Sequence, residues 1–145
     1  ADWQKIGDVV MAVSIPVIAN GDISTLDDVR MAMQQSNAAG VMIGRGAQGK
    51  PWFVAQSGDL LNKRNVRPDP SIAIRHQFML AHLDDMLSHY GSAAMRLARK
   101  HIAWYAHGLP GSAELRDVAN NTTDSVEVFA AVDAFFGALI EQEAA

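Results

Sequence analysis

Two short glycine turns and one arginine are the residues of this sequence best suited to hold an anion. Asn20-Gly21-Asp22 ends one apolar run, and Gly44-Arg45-Gly46-Ala47-Gln48-Gly49 ends another. Glycine lets backbone N–H groups approach an anion closely because no Cβ stands between them. Arg45 adds a guanidinium that matches phosphate oxygens, a charge-assisted bond worth about 1.5–3 kcal/mol. The chemistry implied is phosphate binding, and it requires both turns on one rim. The second turn also spells G-x-G-x-x-G, the dinucleotide fingerprint. Lys50-Pro51 follows where that motif should open a helix, and no later strand carries the acidic residue the fingerprint needs. Two glycine turns that bind nothing are the bland alternative.

A second set of residues is basic. On a helix read from Ser92 to about His107, Arg96, Arg99 or Lys100, and His107 recur along one stripe, a pattern that can neutralise nucleic-acid phosphates. Trp104 could stack on a base, although an aromatic at helical spacing more often belongs to a core, as Tyr105 does. His101 reads equally as a phosphate contact or as a core hydrogen-bonder. His76, His82 and His89 show neither i, i+4 pairing nor H-E-x-x-H, so no metal site is expected. With no cysteine, the chain offers no disulfide, no Cys-ligated zinc and no thiol nucleophile.

Charge is unevenly spread. Residues 1–50 carry four Lys/Arg against five Asp/Glu, and residues 51–112 carry seven against four together with all five histidines. Residues 113–145 hold Arg116 alone against seven acids. A basic middle in an acidic chain points to an anionic partner there, with a solvated mixed-charge face as the plainer reading. No apolar run approaches the roughly 18–20 residues that span a bilayer, and no secretory signal precedes the first helix. A cytoplasmic protein with no membrane contact is expected.

The elements that must position these residues follow from periodicity. Trp3, Ile6, Val9 or Val10 and Val13 recur at helical spacing from the first residues, so the chain reads as entered inside a helix, its beginning missing. Residues 15–19 form an apolar, β-branched run typical of a strand buried on both faces. Ser24 or Thr25 then caps a helix whose inner residues are Leu26, Val29, Ala32 and Met33. Residues 41–43 make a second strand. Helix–strand–helix–strand is α/β grammar, with parallel strands joined by a crossover. Residues 54–70 read as a connection ending at Pro68-Asp69-Pro70, where Asp69 and Pro70 start a helix. Its apolar face comprises Ile72, Met79, Leu80, Leu83, Leu87 and Tyr90, and Gly91 ends it. A short helix near residues 113–118 and a last helix capped by Asp124 with Glu127 follow, the latter facing inward through Val128, Val132, Phe135 and Leu139.

Residues 14–23 followed by residues 41–52 resemble, in order and spacing, the tRNA-dihydrouridine synthase family, most of all its bacterial B-type branch. The resemblance continues through Arg99-Lys100-His101, Trp104-Tyr105, Gly108-Leu109-Pro110-Gly111 and Arg116, with His107-Gly108 standing where many members have Lys-Gly. It implies an α/β fold: the last strand–helix units of a (βα)8 TIM barrel over residues 1–53, a connecting segment over 54–70, and an all-α tRNA-binding domain over 71–145. It also implies that Asn20, Gly21, Asp22, Gly44 and Arg45 bind FMN, mostly its phosphate end, as the loops after strands seven and eight do in such barrels. Arg96, Arg99, Lys100, His101 and Trp104 would then meet tRNA. The family reduces uridine in tRNA to 5,6-dihydrouridine with FMN and NADPH, and a cysteine donates a proton. That cysteine and the flavin-ring contacts belong to earlier strands, so no catalytic residue is assigned here and the chain alone is expected to be inactive. The complete enzyme is expected to be a monomer without metal. A non-catalytic RNA-binding helical module with a vestigial barrel edge is the alternative, and an FMN barrel acting on small molecules is a third reading.

Overall fold

Asp2 opens the first helix by accepting a hydrogen bond from the Lys5 N–H (3.2 Å), so α1 spans Trp3–Ala12 and does not run in from the first residue. The structure, a computed structural model, describes residues 1–144. Within α1 only Trp3 is fully buried; of the alternatives Val9 or Val10, Val10 is half-buried and Val9 51% exposed, and Val13, just past the helix, is 41% exposed. The cause is a narrow contact, because α1 packs against one neighbouring helix, α2 (Leu26–Ser36). Thr25 begins α2 with a reciprocal capping box, its hydroxyl accepting from the Asp28 N–H while the Asp28 carboxylate accepts from the Thr25 N–H (3.1 and 2.8 Å). Asn37 ends it in the left-handed region.

That helix is the crossover between two short parallel strands, β1 (Ile18–Asn20) and β2 (Gly40–Met42). Ile18 lies opposite Gly40 and Asn20 opposite Met42. Both strands sit a residue or more from the spans read from the sequence, since Ile15 and Pro16 precede the paired stretch. Beneath α2 the core gathers Trp3, Ile23, Val29, Ala32 and Phe53, with Ile6, Leu26, Val41, Ile43 and Leu60 packed around them.

Residues 54–61, expected in a connection, instead belong to α3 (Trp52–Leu61). Pro51 supplies a helical φ of −60° at its cap, and Phe53 and Leu60 turn into the core. Three polar residues of α3 are buried, each with a partner. Ser57 donates to the Phe53 carbonyl (2.8 Å), and the Gln56 side-chain amide donates to the Arg67 carbonyl (3.1 Å). Asp59 takes the Arg67 guanidinium at both oxygens, 2.6 and 2.9 Å. Arg67, by hydrogen bonding above all, holds the Asp59 carboxyl at about 2.

The chain divides into two compact units, the one just described (Ala1–Pro68) and a second from Asp69 onward. The second is built from helices α4 (Ile72–Tyr90), α5 (Ala94–Tyr105), α6 (Ser112–Asn121) and α7 (Ser125–Ala144). Ser71 caps α4, not the Asp69-Pro70 pair. A 3-10 turn, Gly91–Ala93, precedes α5. Helix α4 packs on α5 and α7, α5 on α6, and α6 on α7. The closed centre holds Met79, Leu83, Ile102, Val128, Val132 and Phe136. Two inward assignments change. Met86 is buried while Tyr90 is 49% exposed, and Phe136 is buried where Phe135 was expected. Helix α7 has two helical neighbours, and Phe136 is the ring that falls between them. The whole is a mixed α/β chain, mostly helical; among the described residues the sheet has two strands, so no closed barrel is formed. No described helix is long and apolar enough to cross a membrane.

Candidate functional site

Parallel strands release their chain at the same edge, and here that edge carries the chemistry. Asn20, Gly21, Asp22, Gly44 and Arg45 line one cavity of about 480 Å3 with Ile23, Ser24, Met42 and Gly46. The volume lies within the common range for small-ligand sites. Gly21 (φ 120°) and Asp22 (φ 53°) bend the first turn through the left-handed region, which glycine enters freely and Asp tolerates. The Trp3 indole N–H steadies that turn by donating to the Gly21 carbonyl (3.0 Å).

The second turn tightens into a 3-10 helix over Arg45–Ala47. Its first internal donors are Ala47 to the Gly44 carbonyl (3.0 Å) and Gln48 to the Arg45 carbonyl (3.1 Å). The N–H groups of Arg45 and Gly46 therefore precede this ladder, as first-turn donors do. Gly46, read from the sequence as part of the second glycine turn, also lines the cavity. A Cβ placed there would stand 2.0 Å from the Ile23 carbonyl oxygen and 3.0 Å from Ser24 Cα. The two turns thus touch backbone to backbone. Lys50 adds a second tie by donating from Nζ to the Ser24 carbonyl (2.7 Å), its ammonium also lying 4.9 Å from the centre of the Phe53 ring. Neither contact has a signal in the local sequence, since both join residues more than twenty apart.

Charge at the site is balanced internally. Arg45 approaches Asp22 at 3.5 Å, and both side chains are largely exposed, 86% and 60%. An ion pair so open to water contributes little stability. Arg45 can therefore exchange that carboxylate for a ligand oxygen at small cost.

Arg96, Arg99 and Lys100 lie on α5 within about 100° of one another around the axis, while His107, read onto the same stripe, lies beyond the end of the helix. At 3.6 residues per turn, Arg99 and His101 point about 160° apart around the axis. Arg96 and Lys100 are exposed between them, and Arg99, His101 and Trp104 are half-buried. His101 meets the rings of Trp104 (5.1 Å) and His82 (4.6 Å) edge to face. Burial, then the neighbouring His82, lowers the His101 pKa from its ordinary value. The buried Nε of Arg99 has no hydrogen-bond partner among the described residues. Tyr105 is buried, as expected.

A parallel strand–helix–strand unit with a polar cavity at the carboxyl ends of its strands defines an α/β ligand-site class. The chain belongs to the dihydrouridine synthase family: the family model described as "Dihydrouridine synthase (Dus)" matches residues 1–140. It is 42% identical over 144 residues to the probable tRNA-dihydrouridine synthase of Rickettsia bellii, covering 99% of this chain and 44% of that protein. It is 42% identical over 146 residues to the probable tRNA-dihydrouridine synthase of Rhodobacter capsulatus, covering 100% of this chain and 44% of that one. With tRNA-dihydrouridine synthase B of Xanthomonas axonopodis pv. citri it shares 37% identity over 141 residues, 97% of this chain and 42% of the relative. The chain spans less than half the length of these relatives.

Proposed function

We propose that this chain is the part of an FMN-dependent tRNA-dihydrouridine synthase that holds the FMN phosphate and meets tRNA. What supports the reading most is the single cavity shared by Asn20, Gly21, Asp22, Gly44 and Arg45 at the carboxyl ends of parallel strands. In this proposal β1 and β2 are the seventh and eighth strands of a TIM barrel, the usual phosphate position.

The residues fit the phosphate end of FMN. First-turn N–H groups of Arg45 and Gly46 and the Arg45 guanidinium supply donors, and the close packing at Gly46 leaves the backbone bare. Asp22 is an anion beside Arg45 (3.5 Å), so it serves as partner of that guanidinium or as acceptor for a hydroxyl, not as a phosphate contact. Bound FMN, reduced by NADPH, supplies the hydride that converts uridine to dihydrouridine. On α5, Arg96 and Lys100 contact phosphates, Trp104 offers a partly open ring for stacking, and Arg99 brings an unpaired Nε. His101 acts as a neutral ring supporting Trp104, since burial disfavours its charge. No thiol occurs in the 145 residues, so the proton donor of the family is not supplied here and the chain alone is inactive. A cytoplasmic, monomeric complete enzyme without metal goes with this reading.

The test uses a chimera in which this chain replaces the matching 44% of the Rickettsia bellii relative. Arg45→Ala lowers FMN affinity about 10- to 150-fold, the equivalent of one charge-assisted bond, and leaves tRNA binding unchanged. Unaltered flavin occupancy refutes the site. Flavin absorbance also separates this reading from the non-catalytic RNA-binding module, which shares the α5 surface but gives the cavity no role.

A further inference from the structure

Among the described residues, two polar contacts join the segment of the second glycine turn to that of the first. One is the Arg45–Asp22 ion pair (3.5 Å), which opens when Arg45 turns to a ligand oxygen. The other is the bond from Lys50 Nζ to the Ser24 carbonyl (2.7 Å), which no such exchange disturbs. The close approach of Gly46 to the Ile23 carbonyl is a steric stop: it keeps the turns from closing further and supplies no bond that keeps them from parting. Lys50 is half-buried, and its ammonium lies 4.9 Å from the centre of the Phe53 ring, a favourable place for a cation. Ser24 is fixed from its other side, because the Asp28 carboxylate accepts from its N–H and from its hydroxyl, both at 3.0 Å. A chain of contacts therefore runs from Asp28 on α2 through Ser24 and Lys50 to Phe53 on α3. The Lys50 N–H also donates to the Ala47 carbonyl (3.1 Å), at the end of the 3-10 turn. Lys50 does not line the cavity, so it acts on a bound anion through the residues it holds.

We propose that Lys50 is a positioning residue of the phosphate site. Its ammonium, clamped on the Ser24 carbonyl, keeps the Arg45–Ala47 turn against the first turn while the Arg45 guanidinium leaves Asp22 for phosphate. The Arg45 and Gly46 N–H groups then need no reordering when the anion arrives, and donors fixed in advance bind more tightly than donors that must be ordered. This role rests on reading the cavity as the FMN-phosphate site.

The test is amide NMR of the full 145-residue chain titrated with inorganic phosphate and followed at Arg45 and Gly46. Lys50→Met keeps an apolar stem beside Phe53 and removes the donor, whereas Lys50→Arg keeps a donor. Saturable shifts are expected in the unaltered chain, with affinity about tenfold lower in Lys50→Met and within about threefold of the original in Lys50→Arg. Lys50→Leu is a second variant with the same expected loss, and the fold of each is checked by circular dichroism. Hydrogen exchange without phosphate is the second readout. In Lys50→Met the Ala47 and Gln48 amides, which close the 3-10 turn, exchange about tenfold faster, while Val29 in α2 keeps its rate. Equal acceleration at Val29 would make the role one of general stability and overturn the proposal. Unchanged phosphate affinity in both Lys50→Met and Lys50→Leu overturns it too. So does weaker affinity with Ala47 and Gln48 exchange unaltered, which would make Lys50 a direct ligand. Absence of a saturable shift in the unaltered chain is a separate failure, because it removes the phosphate reading itself and the role of Lys50 with it.

Discussion

The two units differ in how completely each closes on itself. In the helical unit, Phe136, Met79, Leu83, Ile102, Val128 and Val132 are sealed almost entirely from solvent. In the strand-bearing unit the comparable large apolar side chain is Val29, while Ile15, Ile18 and Met42 stand 71%, 49% and 56% exposed along the sheet and its approach. Parallel sheets are ordinarily covered on both faces. The lesson is that ligand chemistry and self-sufficiency lie in different places. The unit with the cavity leaves apolar residues of its sheet exposed, and the unit with the basic helix encloses its large apolar residues.

The sharpest way to break this contrast is Phe136→Ala, which is expected to cost about 3–5 kcal/mol. If the helical unit is self-sufficient, thermal unfolding followed at tryptophans of each unit shows only the transition reported by Trp104 shifting. A common shift reported equally by Trp3 would erase the distinction. Gly46→Ala should cost about 1–3 kcal/mol, as overpacking does, because its Cβ would collide with the Ile23 carbonyl. That loss appears as reduced FMN affinity in the chimera, with tRNA affinity preserved. Arg96→Ala with Lys100→Ala, conversely, should lower the salt slope of tRNA binding by about 1.5, two phosphate contacts' worth, and leave flavin in place. A slope that stays the same means those residues face elsewhere.

The smallest effect concerns acid. Asp59 is held at about 2 by Arg67, against roughly 4 for an unfolded aspartate. A carboxyl depressed on folding gives stability that is present above pH 4 and lost as pH falls through 2. Acid titration of the strand-bearing unit should therefore steepen between those values, and Asp59→Asn should flatten it. An identical profile in the variant would show that the Arg67 clasp is not what makes the unit acid-sensitive.

What could be read in advance follows the range of the interactions. Asn20, Gly21, Asp22, Gly44 and Arg45 share a cavity because parallel pairing, legible in the apolar runs and crossover helix, forces both turns to one edge. Helix α3 was not read from the sequence, and its buried Gln56, Ser57 and Asp59 depend on partners at Phe53 and Arg67 that no periodicity reveals. Phe136 and Phe135 are adjacent and chemically identical, so only the position of the neighbouring helices decides which is enclosed. The tie between Gly46 and Ile23 is invisible for the same reason, being a meeting of two backbones twenty-three positions apart.

That meeting has a mechanical consequence. Because nothing larger than hydrogen fits between residue 46 and the carbonyl at 23, neither loop can change length or gain bulk by itself without dislodging the other. The two loops thus act as one mechanical part, and a side chain at residue 46 must move residue 23 as well.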